Sequence, residues 1–231
     1  MLKILIASTL IFALSMMSCT KEKEGPSVSV PNTGLRYLAL GDSYTYGESV
    51  LEKERFPNQL VDSLAKQNVR IVSLRNIART GWRTDDLQAG ITAAGIADST
   101  FDMVSLLIGV NNQYQNRSIE VYKMEFTELL NQAVKFAGGK KNRVVVVSIP
   151  DYAFTPFGKS AVRISTEIDN FNAVNEQIAK EKSIAYVNIT PISREGIREP
   201  LLVALDGLHP SGKQYARWVS AMMPTVLAFF K

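Results

Sequence analysis

The sequence predicts an α/β fold, a three-layer α/β/α sandwich built on a five-stranded parallel sheet. Three observations predict it. Short apolar runs without polar alternation recur along the chain, as strands buried on both faces require. Between them lie stretches with apolar residues at helical spacing, which is the pattern of crossover helices. Several segments end at Gly41, Gly109 or Pro150, where the chain would leave the carboxyl edge of the sheet. The flavodoxin-like order 2-1-3-4-5 fits this alternation, and it gathers the loops after the strands into one crevice.

Each element has its own warrant. Leu35–Leu40 reads as a buried first strand, followed by a helical face of Phe56, Leu60, Val61, Leu64 and Ala65. Val69–Leu74 reads as the second strand. Thr84-Asp85-Asp86 then caps a short helix through Ala94. Phe101–Ile108 is the third strand. Ile119, Tyr122, Phe126, Leu129, Leu130, Ala133 and Val134 mark a long amphipathic helix, stopped by Gly138-Gly139. The β-branched run Val144–Ile149 is the fourth strand, closed by Pro150. Ile164, Ile168, Phe171, Asn175 and Ile178 form another helical face, and Ile184–Val187 is the fifth strand. Tyr215, Trp218, Val219, Met222, Met223, Val226 and Leu227 mark the last helix, whose methionine and aromatic residues read as core packing.

Composition narrows the function. At 231 residues, 46% hydrophobic and 21% charged, the chain suits one ordinary globular domain. The net charge of +4 is modest, and no Lys/Arg cluster interleaved with aromatics marks a nucleic-acid partner. One cysteine and one histidine cannot build a thiol or imidazole zinc site. Neither a metal nor an organic cofactor is expected.

The domain is expected over residues 35–231. Before it, Lys3 is followed by an apolar stretch from Ile4 to Met17 and then Ser18-Cys19. A helix of that length reaches only ~21 Å, short of a ~30 Å hydrocarbon core, so residues 1–18 read as a signal peptide. The segment resembles a bacterial lipoprotein signal, which implies lipidation of Cys19. Met16 and Met17 depart from the commoner form of that box, and a secreted protein with an incidental cysteine is the alternative. Residues 19–34 carry Gly25, Pro26 and Pro31 and read as a flexible tether. Lys21-Glu22-Lys23-Glu24 resembles a surface-export signal of some lipoproteins, a solvated linker being the alternative. The expected location is the bacterial cell envelope, lipid-anchored to a membrane and facing the periplasm or the cell surface.

The chemistry centres on Gly41-Asp42-Ser43-Tyr44 and, far downstream, Asp206-Gly207-Leu208-His209. A serine nucleophile needs a base that works near neutral pH and a carboxylate to orient it. His209 is the one imidazole in the chain, so it alone can be that base. Gly207 lets the chain turn so that Asp206 can reach the ring, Pro210 biases His209 toward an extended backbone, and Ser211 can cap the next helix. Asp42 is expected to serve the turn through backbone hydrogen bonds. Asp85 and Asp86 read as helix-start residues.

Four blocks, Gly41-Asp42-Ser43-Tyr44, Asn76 to Gly81, Gly109-Val110-Asn111 and Asp206 to His209, resemble in order and spacing those of the GDSL/SGNH hydrolase superfamily. The resemblance covers about residues 35–230. It implies Ser43 as nucleophile, His209 as base and Asp206 as its orienting carboxylate. It also implies an oxyanion hole from the Ser43 N–H, the Gly81 N–H and the Asn111 side chain. One departure is Asn112, where the family usually has aspartate. The implied activity is hydrolysis of lipid or small acyl esters, akin to the lysophospholipase, arylesterase and thioesterase branch. A carbohydrate O-acetyl esterase is the first alternative, and a non-catalytic carbohydrate- or lipid-binding module the second. Tyr44, Tyr46, Trp82, Tyr114 and the loop Asp151–Phe157 read as an aromatic rim that would suit an acyl chain, an aryl group or a sugar ring, simple partial burial over the sheet being the alternative.

Overall fold

The computed structural model describes residues 34–231. The expected signal peptide, Cys19 and nearly all of the expected tether lie outside the described residues.

Five strands form one sheet: β1 (Leu35–Gly41), β2 (Ile71–Ala78), β3 (Met103–Leu107), β4 (Val144–Val147) and β5 (Ala185–Val187). All pair in parallel, in the order β2-β1-β3-β4-β5. This is the order expected from the sequence. Leu38 and Leu40 of β1, Val104 and Leu106 of β3, and the whole of β4 are fully buried or nearly so, which is why these runs lack polar alternation.

Among the described residues eight α-helices accompany the strands: α1 (Ser43–Tyr46), α2 (Phe56–Ala65), α3 (Thr84–Ala93), α4 (Val110–Tyr114), α5 (Ile119–Phe136) and α6 (Val162–Glu181) between them, and α7 (Thr190–Ser193) and α8 (Gly212–Ala228) after β5. Right-handed crossovers dictate their layers. The step from β1 outward to β2 puts α2 on one face, where it packs against α8. The steps back through β3, β4 and β5 put α3, α5 and α6 on the other, where α5 touches both neighbours. Ser211 caps α8 as expected, its hydroxyl accepting from the Gln214 N–H at 3.3 Å.

Two expected boundaries move. β2 runs to Ala78 and not to Leu74, so Asn76 is a strand residue. As the sheet's edge strand, β2 exposes Ser73 and Arg75, and its polar half reads as loop when only apolar runs are sought. Thr84 opens α3 but does not cap it. Asp86 does that work, accepting from the Arg83 N–H at 3.1 Å, while the Thr84 hydroxyl turns inward to Glu125. Among the described residues no helix is long and apolar enough to cross a membrane.

Candidate active site

The β1 strand delivers Ser43 to the carboxyl end of the sheet, between β2 and β3, at the first position of α1. Asp42 caps that turn, its Oδ1 accepting from the Tyr44 N–H at 3.0 Å. The cap is wholly buried, and among the described residues its other oxygen has no partner within hydrogen-bond distance. Burial pushes the Asp42 carboxyl up to about 7 against the pull of backbone N–H groups led by that of Tyr44. Asp42 thus points into the core, away from any substrate, and anchors the bend that presents Ser43. A second tie holds the bend from the sheet side, where Asn76 Nδ2 donates to the Thr45 carbonyl at 3.0 Å.

His209 arrives on the loop before α8. That loop is closed on itself, since Ala204 N–H donates to the His209 carbonyl at 2.7 Å and Val203 bridges Pro210. Asp206 Oδ1 accepts from the N–H groups of Leu208 at 2.9 Å and His209 at 3.0 Å. Its Oδ2 lies 2.6 Å from His209 Nδ1 and accepts from the Ser49 hydroxyl at 2.7 Å. Partial burial alone would raise the Asp206 carboxyl. The hydrogen bonds from His209 and Ser49 and from the two backbone N–H groups outweigh it and hold the group down at about 2. An ionised Asp206 can only accept, so Nδ1 directs a hydrogen at it, and in the neutral ring Nε2 is then the acceptor.

Ser43, Gly81, Asn111 and His209 line one cavity of about 280 Å3. Ser43 and His209 form no hydrogen bond with each other among the described residues, so the hydroxyl faces the cavity unpaired. Such contacts are often long before substrate binds. Backbone N–H groups of Ser43 and Gly81 find no internal acceptor among the described residues. One hydrogen of the Asn111 amide is held by the Trp82 carbonyl at 2.9 Å; the second remains for the cavity. Three unpaired donors therefore surround the same space as the hydroxyl.

Glycines make this approach possible for two different reasons. Gly81 has φ +85° with open space where a Cβ would sit, so it is the backbone conformation that calls for glycine. Gly109, the residue before α4, has φ +131°, and a Cβ there would fall 2.5 Å from the Tyr122 hydroxyl. Here both conformation and space require it.

The aromatic rim divides. Tyr44, Tyr114, Tyr152 and Phe157 line the Ser43 cavity, with the last three rings in mutual contact at 6.3 Å between centroids. Tyr152 is fixed by its hydroxyl, which donates to Gln113 at 3.0 Å. Tyr46 and Trp82 instead line a neighbouring recess, and Phe154 packs on the core. Another cleft, about 590 Å3, is lined by Leu35, Arg70, Asp102 and Arg143. It sits at the amino ends of the strands, remote from Ser43.

Ser49 and Asn112 carry roles that sequence reasoning missed. Ser49 has a left-handed backbone, φ +64°, and no local pattern pairs it with Asp206. Asn112 is fully buried, its Oδ1 accepting from the Thr84 N–H at 3.1 Å and its Nδ2 donating to the Thr84 hydroxyl at 2.6 Å. An amide can serve both; an ionised carboxylate could only accept.

Comparisons with known proteins agree with this architecture. The model of a family described as GDSL-like lipase/acylhydrolase matches residues 39–217. No curated protein sequence matches the chain. Among solved structures, TesA is similar at TM-score 0.67 and 15% identity, over 84% of this chain and 99% of that one. Axe2, an acetylxylan esterase from Geobacillus stearothermophilus, is similar at TM-score 0.66 and 19% identity, over 84% of this chain and 94% of its own. The psychrotrophic esterase EstA from a Pseudoalteromonas species is similar at TM-score 0.64 and 17% identity, over 85% and 98%.

Proposed function

The chain belongs to the GDSL-like lipase/acylhydrolase family and is an ester hydrolase, and from that premise we propose that it cleaves lipid or small acyl esters through an acyl-enzyme on Ser43. The observation that carries the proposal is the common cavity. One hydroxyl, one imidazole already paired with an ionised carboxylate, and three unpaired donors border a single space.

The steps follow from that placement. Ser43 Oγ attacks the ester carbonyl while His209 Nε2 takes its proton, and Asp206 stabilises the imidazolium. The negative charge that develops on the carbonyl oxygen meets the N–H groups of Ser43 and Gly81 and the free Asn111 hydrogen. His209 then protonates the departing alcohol. In the second half it activates water, which attacks the acyl carbonyl and restores the Ser43 hydroxyl.

A volume of about 280 Å3 lies at the small end of ligand pockets, which run from roughly 300 to 1,000 Å3. The rings of Tyr114, Tyr152 and Phe157 suit a short acyl group better than a long chain. The small cavity also favours a second reading, a carbohydrate O-acetyl esterase, the class to which Axe2 belongs by name. Attachment to a membrane through lipidated Cys19 remains part of the proposal, tested by incorporation of labelled fatty acid into wild type but not Cys19→Ser.

The deciding experiment is hydrolysis of a nitrophenyl ester series by wild type and Ser43→Ala, alongside labelling with a fluorophosphonate probe. Short esters should turn over fastest, and both turnover and labelling should vanish in Ser43→Ala. Retained turnover in that variant would refute the nucleophile. A folded wild type that neither labels nor hydrolyses any ester would point to a binding module.

A further inference from the structure

A second recess of about 420 Å3 adjoins the Ser43 cavity, and Thr80 lines both. Tyr46, Glu48, Ala78, Arg79 and Trp82 complete its walls. We infer that this recess is the subsite for the alcohol half of the substrate, and that the alcohol is a neutral sugar. The inference rests on the reading of Ser43 as nucleophile and says which ester that serine meets.

The recess is built, not incidental. Trp82 lies on the bare backbone of α3, where a Cβ at Gly90 would come within 2.2 Å of the indole. A glycine inside a helix is a destabilising choice, and here it makes room for one ring. Tyr46 is held by the guanidinium of Arg55, 4.8 Å from its ring centroid. Both aromatic surfaces are thus fixed before any ligand arrives, which lowers the entropic cost of binding. Glu48 is tied down by the Thr80 hydroxyl. Arg79 is exposed and makes no ion pair among the described residues.

Chemistry then selects the ligand. An alkyl chain lying here would leave the charges of Glu48 and Arg79 facing apolar surface. A phosphate or carboxylate would pair with Arg79 but meet the Glu48 carboxylate. A sugar satisfies all four groups, since its C–H faces lie on the Tyr46 and Trp82 rings and its hydroxyls both donate to Glu48 and accept from Arg79. Position agrees. The recess meets the Ser43 cavity at Thr80, beside Gly81, while the apolar rings of Tyr114, Tyr152 and Phe157 are left for the acyl group.

The test compares kcat/KM on acetylated pentose and hexose oligosaccharides with that on 4-nitrophenyl acetate, in wild type, Tyr46→Ala and Arg79→Gln. Each variant should lower kcat/KM for the sugar esters by about tenfold relative to nitrophenyl acetate, mainly through KM, the size expected for losing one charged hydrogen bond or one ring contact. Parallel losses on both substrates, or no loss on the sugar esters, would overturn the subsite. Calorimetric titration of Ser43→Ala with the deacetylated oligosaccharides separates this inference from the catalytic one. Binding that is lost in Ser43→Ala/Tyr46→Ala supports the subsite even if the serine chemistry fails. Absence of binding in Ser43→Ala overturns it even if that chemistry holds.

Discussion

The Ser49 hydroxyl donates at 2.7 Å to Asp206 Oδ2, the same oxygen that stands 2.6 Å from His209 Nδ1. The Asp206 carboxylate is therefore oriented from three directions, by the imidazole, by Ser49 and by two backbone N–H groups. Ser49 acts through Asp206 and is a positioning residue. In Ser49→Ala the carboxylate keeps its backbone donors but can rotate. Turnover should fall by about three- to tenfold, less than the full worth of a hydrogen bond to a charged group because the carboxylate keeps its other donors. KM and the melting temperature should stay close to wild type. A drop in melting temperature with unaltered turnover would reduce Ser49 to a structural contact.

Asn111 has one amide hydrogen on the Trp82 carbonyl and the other free. In the proposed mechanism, replacing it with alanine removes a donor that matters most when charge builds on the substrate oxygen. The expected loss is about 3 kcal/mol, roughly a hundredfold in kcat, with a smaller change in KM. Steady-state kinetics on a short nitrophenyl ester measures both terms. Unchanged kcat removes Asn111 from the oxyanion hole.

Asn112 is the point where the chain departs from the usual pattern of its family. Its amide donates to Thr84 Oγ1, which in turn donates to Glu125. Asn112→Asp replaces that donor with a buried carboxyl near the half-buried carboxylate of Glu125. The variant should lose about 1–3 kcal/mol of stability at pH 7, seen as a lower urea midpoint. The loss should shrink as pH falls and the new carboxyl takes up a proton. Equal stability of the two proteins at pH 7 would show that Asn112 has no special role in this network.

Two carboxylates near the site give stability profiles of opposite sign. Asp42 has its folded pKa raised to about 7, above an unfolded value of about 3.9. The folded state then holds more protons than the unfolded one, so this contribution is greatest below pH ~4 and declines up to pH ~7, by at most about 1.4 kcal/mol per pH unit. Asp206 has its folded pKa lowered to about 2, so its contribution is present above pH ~4 and is lost as pH falls through ~2. Urea midpoints measured across pH should lose the first slope in Asp42→Asn, which still accepts from the Tyr44 N–H, and the second in Asp206→Asn. An Asp42→Asn profile parallel to wild type between pH 4 and 7 would place that titration elsewhere.

The sequence alone determined the sheet, its strand order and the chain segments that carry Ser43 and His209. Runs such as Leu38–Leu40 and Val144–Val147 announce two-faced burial through composition, and Gly41-Asp42-Ser43 and Asp206 to His209 hold their key contacts within a few residues. Edge strand β2 was only half legible, because a strand with one side open to solvent tolerates Ser73 and Arg75. Tertiary structure decided the rest: that Ser49 reaches Asp206, that Asn112 serves Thr84, and that Tyr46 and Trp82 leave the Ser43 cavity to form a recess of their own. Those contacts join residues dozens to more than a hundred positions apart. No local propensity or periodicity encodes them, since each depends on where the packed core leaves two distant backbone segments.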